Sequence, residues 1–469
     1  MKTWLITSLL AFLALAGCVD DDATDPVELG PVFDENGLVA SHPAYGFGTN
    51  AALLESPDGS LFLDRDDGVR QWFKTPYRGF PGAISGLEPL TQVPETADDS
   101  AGGIAVFGGL AFVGGRGAGP MNIINVMDPL NPSVISSIPD VPVRDADTIL
   151  YPDGRLVVIS TSGGLNVVAT DVTDPAAPRL VGNFETPGSG HNIAVVPGTP
   201  IVYNSGMDII DFSDPENPII QGVFPDGDGC HDIAFHITNE TQWALCAGYA
   251  YTEIWDIADP LAPVLVTEIA YPSVEKGLPV VGEQFDDLGV PQDVTQAVPC
   301  AGVPEPAPEP CEQSAAFPLS FSHLAIVNHD ATVLIMGDET GGGGINGCDV
   351  YVDGGEAGTF SGPVGNLWFY DITDPQNPDL RGHVSPGATD ADDGTGSCTA
   401  HFGRVIEDTD FLVMAFYTAG ITLVDFSDLS NPRIVERLDQ GGDIWDVWFH
   451  QGYLFTGDMV RGMDVIALS

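Results

Sequence analysis

The chain has 469 residues and carries 67 acidic side chains against 15 basic ones, a formal net charge of −52, yet 43% of it is hydrophobic and only 17% charged. That much apolar content in a chain this long can fill a core, which excludes a disordered acidic tail. The lysines are only Lys2, Lys74 and Lys276, and a nucleic-acid partner needs clustered cations to displace counterions, so that class is excluded as well.

In chain order, Lys2 and the apolar run from Trp4 to Leu15 have the charged start and short hydrophobic middle of a secretory signal, too short for a comfortable membrane span. Residues 1–17 are therefore expected to be a removed leader. The run ends in Leu15-Ala16-Gly17-Cys18, which resembles the bacterial lipobox; the resemblance implies cleavage before Cys18, lipidation of Cys18 and the membrane as a partner. Residues 18–37, with Asp20, Asp21, Asp22 and Asp25, then read as an acidic tether. Val19 beside the lipidated Cys points to the outer membrane or cell surface. Residues 38–85 are left unassigned. Within them Asp64, Asp66 and Asp67, like Asp390, Asp392 and Asp393 further on, offer oxygens to Ca²⁺, but neither group has the EF-hand pattern with its closing Glu, and solvated loops are the competing reading.

Seven cysteines less Cys18 leave six, an even number suited to an oxidising compartment. Neighbourhood in sequence suggests Cys230 with Cys246 and Cys300 with Cys311, leaving Cys348 with Cys398; no spacing rule fixes these pairs. Zinc competes for the thiolates, although no Cys-x-x-Cys pair is present.

A repeat then organises the rest. "MDIIDFSDPENPIIQGVF" recurs as "LWFYDITDPQNPDLRGHV", "TEIWDIADPLAPVLVTEI", "LNVVATDVTDPAAPRLVGNF", "MNIINVMDPLNPSVISSI" and "ITLVDFSDLSNPRIVERL". Each copy is an apolar strand, a turn closed by Asp-Pro (Asp428-Leu429 in the last) and a second Pro, and another strand, because Pro presets φ and the Asp side chain caps the turn amides. The turn aspartates fall at 128, 174, 214, 259, 374 and 428, with gaps of 46, 40, 45, 115 and 54 residues. A four-stranded propeller blade repeats every ~40–45 residues. Between the hairpins lies a second pair of strands, seen in "HNIAVVPGTPIVYNS", "HDIAFHITNETQWALCAG", "HLAIVNHDATVLIMGDE" and "HFGRVIEDTDFLVMAFY" and more weakly three more times. Seven blade starts follow. The last unit stops after three strands, and "LEPLTQV" precedes the first, so the two ends are expected to complete one blade. The expected fold is an all-β, seven-bladed β-propeller over residues 86–469, closed by an N-terminal strand, with insertions at about 271–321, 341–365 and 385–398.

The strand in "IIDFSDPENP" and "WFYDITDPQNP" resembles the bacterial LVIVD-repeat surface proteins, and stretches such as "CHDIAF" and "FSHLAIVNHDATVLIMGDETGGGG" resemble their lipid-anchored or exported members. The resemblance covers about four fifths of the chain and implies a fold; it leaves chemistry open.

In a propeller the start of the first strand, the loop between strands two and three, and the exit of strand four share one face. The residues opening the first strands read as Gly102, Asp147, His191, His231, His323, His401 and Trp445, with Asn192, Asp232 and Asp446 one further. The ends of the second strands add Arg116, Asn204, Tyr251, Asp338, Glu339, Tyr417, Asp458 and Arg461 to this candidate ligand face. The four histidines allow two readings. They hold Zn²⁺ or another divalent metal at the axis, with Glu339 as a weak candidate base, or each hydrogen-bonds a neighbouring blade and locks the ring. All three insertions should surround the same mouth, where binding loops commonly sit. The functional expectation is a lipid-anchored surface propeller that binds an extracellular protein, polysaccharide or other ligand on that face. The alternative is a metal-dependent periplasmic or surface hydrolase using the histidine ring.

Overall fold

The computed structural model describes residues 84–469 except 97–100, 108, 118, 152, 189, 226–228, 238–240, 249–250, 271–321, 340–350, 353–361, 364, 387–397, 407–408 and 451–452; before residue 84 it describes six short strands between Val32–Phe33 and Arg70–Gln71. Seven four-stranded antiparallel sheets form a ring. Blade 1 opens with Ala101–Phe107, blade 2 with Ala146–Leu150, blade 3 with Ile193–Val195, blade 4 with Asp232–Ile237, blade 5 with Ser322–Val327, blade 6 with Gly403–Ile406 and blade 7 with Ile444–His450. First strands are almost wholly buried, whereas fourth strands such as Ile219–Val223 are mostly exposed. Strand one lines the axis and strand four the rim.

Ring closure follows the expected division of labour. Met463–Leu468 is the third strand of blade 7, and Leu87–Val93 supplies the fourth, pairing Met463 with Val93 and Leu468 with Leu87. The carbonyl of Ser469 accepts from the N–H groups of Ser85 (2.6 Å) and Gly86 (2.9 Å), and Ser469 N–H donates back to Gly86 (3.0 Å). Both ends of the ring are thus paired and leave no open inner edge.

The repeated turn is made by two side chains three residues apart. In blade 3 the Asp211 Oδ1 accepts Ser213 N–H (2.8 Å), Asp214 Oδ1 accepts Glu216 N–H (3.0 Å) and the Asp214 carbonyl accepts Asn217 N–H (3.0 Å). Blade 1 uses Asn125 and Asp128, blade 2 Asp171 and Asp174, blade 4 Asp256 and Asp259, blade 5 Asp371 and Asp374, and blade 6 Asp425 and Asp428 in the same way. These consecutive Asx turns satisfy amides that a Pro-containing reversal leaves without a ladder partner. Every pairing of third and fourth strands also carries a register shift, as between Ile209 and Ile210, which adds twist where the blade reaches solvent.

The longest connections fall between the following strands. The first separates Val264–Ala270 from Ser322–Val327, the second separates Val333–Asp338 from Leu367–Asp371 and includes the pair Tyr351–Val352 with Gly362–Pro363, and the third precedes the first strand of blade 6. Cys230 and Cys246 are disulfide-bonded, with Cα atoms 5.4 Å apart. Cys398 is also disulfide-bonded, while its expected partner Cys348, the expected pair Cys300 and Cys311, the expected lipidation site Cys18, and acidic residues Asp66, Asp67, Asp390, Asp392 and Asp393 lie outside the described residues. Asp64 lies in the short strand Leu63–Asp64.

Candidate functional site: an axial ring of arginine, histidine and tryptophan

Backbone hydrogen bonds define the ring position. His231 N–H donates to Ala247 (2.7 Å) in blade 4 and His401 N–H to Ala415 (3.0 Å) in blade 6; in blade 2 the same bond runs from Arg144 N–H to Thr161 (2.9 Å). Arg144 therefore holds the place expected for Asp147. The cause is hairpin length: the pair Ala146 and Ser160 in blade 2 encloses three more residues than the equivalent pair Ile193 and Asn204 in blade 3. The signal was present in the sequence, since Arg144-Asp145-Ala146 has the same polar, polar, apolar order as His191-Asn192-Ile193 and His231-Asp232-Ile233. His323 and Trp445 occupy register shifts at the starts of blades 5 and 7.

Blade 1 fills its place from a neighbouring strand. A Cβ on Gly102 would stand 2.2 Å from Cγ of Arg116, so the glycine leaves room for the arginine at the end of the second strand. The ring then reads Arg116, Arg144, His191, His231, His323, His401 and Trp445. Adjacent members touch: ring centroids are 4.5 Å apart for His191 and His231, 4.3 Å for His231 and His323, 3.9 Å for His323 and His401, and 4.1 Å for His401 and Trp445. The guanidinium carbons of Arg116 and Arg144 lie 4.4 and 4.9 Å from the Trp445 ring centroid, within cation–π range.

Two side chains reach into this ring from the ends of second strands. Glu339, 4% exposed, places Oε2 at 3.7 Å from His323 Nε2 and Oε1 at 3.6 Å from His401 Nε2. The Tyr417 hydroxyl donates to Glu339 Oε1; its backbone sits at φ +50°.

Burial dominates the electrostatics. It holds His191, His231, His323 and His401 well below the ordinary imidazole value, with Arg144 opposing any added positive charge, so all four are neutral at neutral pH. Burial pushes Glu339 up to about 8 against the pull of Tyr417 and the two arginines, and raises the Tyr417 hydroxyl. It also lowers Arg144 to about 10, with Arg116 adding to the effect. Arg144 Nε donates to His191 Nε2 (3.1 Å); a guanidinium can only donate, so Nε2 accepts and the His191 proton belongs on Nδ1. His401 Nδ1 lies 2.6 Å from the Trp445 carbonyl, which can only accept, so His401 donates to the next blade.

The four imidazoles are thus neighbours without sharing one focus. His191 is engaged by Arg144 and His401 by Trp445, while one ring nitrogen each from His231 and His323 and one Glu339 oxygen lie within 4.8 Å of one another. Other residues expected on the ligand face serve the scaffold. Asn204 exchanges hydrogen bonds with Asp208 (2.8 and 3.0 Å), Asp338 accepts Gly365 N–H (3.0 Å), Asp458 accepts Asp443, Val460 and Arg461 N–H groups (3.1, 2.8 and 2.9 Å), and Arg461 forks onto Asp464 (2.8 Å twice). Tyr251 opens the third strand of blade 4, opposite Gly248 and Ala270. Asp147 caps its own strand at Thr148 N–H (2.7 Å) and accepts Val195 N–H of blade 3 (3.0 Å). Asp147, Asp232 and Arg404 line a cavity in the channel, where Arg404 also meets Asp446 (3.3 Å).

Comparison with known proteins locates one repeat directly. A family model described as "LVIVD repeat" matches residues 409–440, which run from the turn between the first and second strands through the fourth strand of blade 6. No curated protein matches the chain. Among solved structures, the β-propeller domain of Myceliophteria thermophila Cps50 (Swd1) is similar at 9% identity with a TM-score of 0.49, covering 82% of this chain and 100% of that one. The RRP9 WD40 repeats are similar at 10% identity with a TM-score of 0.48, covering 83% and 99%. The chain is a seven-bladed β-propeller that carries an LVIVD repeat.

Proposed function

We propose that this propeller is an exported, lipid-anchored binding protein whose site is the axial mouth framed by Arg116, Arg144, Trp445, Glu339 and Tyr417. The observation that carries the reading is the composition of the ring. Burying imidazoles, guanidiniums and a carboxyl together costs desolvation that apolar ring residues would avoid. In a chain with 67 acidic and only 15 basic residues, two arginines meet at one indole. The insertions leave the blades at the same end, so a protein segment, a polysaccharide or another extracellular ligand would meet loops first and the ring beneath them. Cys18 supplies the membrane anchor at the outer membrane or cell surface.

The test is retention of envelope polysaccharide and envelope proteins on the immobilised mature chain, compared with Arg116→Glu and Trp445→Ala. Binding reduced at least about tenfold by either change supports the mouth as the site. Equal retention by all three proteins moves the site elsewhere. A hydrolytic reading draws on the cluster of His231, His323 and Glu339, and turnover of ester, phosphoester or glycoside probes abolished by Glu339→Gln would establish it.

A further inference from the structure

We infer that His231, His323 and Glu339 form a site for one divalent transition-metal ion, independent of which ligand the mouth receives. Their three donor atoms lie within 4.8 Å of one another, and His323 Nε2 is already 3.7 Å from Glu339 Oε2. Tetrahedral Zn²⁺ holds N and O donors at ~2.0–2.2 Å, hence ~3.3 Å apart, so side-chain shifts of about 1 Å close the cluster.

Arg144 donates to His191 Nε2 at 3.1 Å, placing a cation beside that imidazole and setting it apart from the site. His401 donates from Nδ1 to the Trp445 carbonyl at 2.6 Å, and its Nε2 faces Glu339 Oε1 at 3.6 Å, the oxygen that already accepts from Tyr417 rather than the one turned to His323. Tyr417 donates to Glu339 Oε1, fixing the carboxyl with its other oxygen toward His323. Two imidazoles and one carboxylate suit Zn²⁺, Co²⁺, Ni²⁺ or Cu²⁺ better than Ca²⁺ or Mg²⁺, which prefer all-oxygen shells. The three residues are between 1% and 4% exposed, so an ion there would exchange water for protein donors. Three protein donors also leave a position open for an exogenous ligand, and the guanidiniums of Arg116 and Arg144 favour an anion in it.

The test uses the whole mature chain, stripped with a chelator and titrated with Co²⁺ and Zn²⁺ alone. The expected result is one equivalent bound, with visible Co²⁺ absorption of a four- or five-coordinate site. Glu339→Gln and His323→Ala should each weaken binding at least about tenfold, whereas His383→Ala, on the fourth strand of blade 5, should bind as the parent does. Glu339→Gln keeps size and shape and so remains informative if His323→Ala does not fold. Folded parent protein that takes up less than half an equivalent of either metal overturns the inference, as does stoichiometric binding that both ring variants retain at parental strength. Neither result changes the retention test at Arg116 and Trp445, so the binding reading stands or falls separately.

Discussion

Gly102→Ala tests whether Arg116 belongs to the axial ring. The added Cβ would lie 2.2 Å from Arg116 Cγ and 3.0 Å from Cδ, but 3.4 Å from Cβ. The first separation is untenable and the last is near ordinary contact, so the arginine must rotate away while its backbone stays. Leaving the Trp445 face, where its guanidinium carbon lies 4.4 Å from the ring centroid, forfeits a cation–π contact of ~1–2 kcal/mol. Arg116→Ala should cost a similar amount by removing the same contact. Adding Gly102→Ala to it should then cost little, because only the well-spaced Cβ remains. The double-mutant cycle is expected to show a coupling of ~1–2 kcal/mol, read from urea midpoints at constant m, with near-UV circular dichroism reporting the indole environment. Costs that add within about 0.5 kcal/mol would refute the argument, since Gly102 would then be acting on something other than Arg116.

Asp147→Ala should destabilise the ring by ~3–5 kcal/mol and Asp147→Asn by ~1–3 kcal/mol, because both carboxylate oxygens accept buried N–H groups and an amide can replace only one of them; differential scanning calorimetry showing an unchanged Tm for Asp147→Asn would exclude this role. Replacing Cys230 and Cys246 by Ser opens a bond of sequence separation 16 and is expected to cost ~3 kcal/mol in the same assay under non-reducing conditions. Asp443 is pushed up to about 6 by burial, with Asp458 adding to it. Its folded pKa therefore exceeds the ordinary 3.8, and the stability it contributes when protonated is lost as pH rises between those values; Asp443→Asn should raise Tm at pH 7.5 relative to the parent and give a smaller gain at pH 4.5. Cys18→Ser should move the protein from the detergent phase to the aqueous phase on detergent partitioning, and continued detergent partitioning would place the anchor elsewhere.

Blade number and ring closure were legible because their chemistry is local. An Asp-Pro reversal needs its Asx caps within a few residues, so Asp174, Asp214, Asp259 and Asp374 mark blades in one dimension much as they do in three. The face was legible too, since antiparallel blades fix which strand ends share it; Glu339 and Tyr417 were found that way. Position within that face was another matter. Asp147 lies three residues beyond the ring because blade 2 has a longer first hairpin; hairpin length is settled by cross-strand pairing, and the polar, polar, apolar order of Arg144-Asp145-Ala146 was its one mark in the sequence. Asn204, Asp338, Asp458 and Arg461 occur at strand ends on this face, but their polar atoms are engaged with backbone amides or a carboxylate. The residue types that bind ligands are also those that cap turns, and a sequence does not say which task each performs.

The ring divides into two chemically different arcs. Blades 7, 1 and 2 contribute Trp445, Arg116 and Arg144, a cationic arc organised around one indole. Blades 3 to 6 contribute four neutral imidazoles with Glu339 against the last two. Sevenfold repetition alone would place one residue type in every blade, and a purely mechanical lock would work equally well with seven histidines. The change at blade 7 instead puts opposite preferences across one channel: electron-pair donors on one side and hydrogen-bond donors with fixed positive charge on the other. A dication held by the imidazole arc and an anionic group held by the arginine arc satisfy both without a further counter-ion. The same two arginines therefore limit metal affinity through repulsion while favouring an anionic group on their own side of the channel.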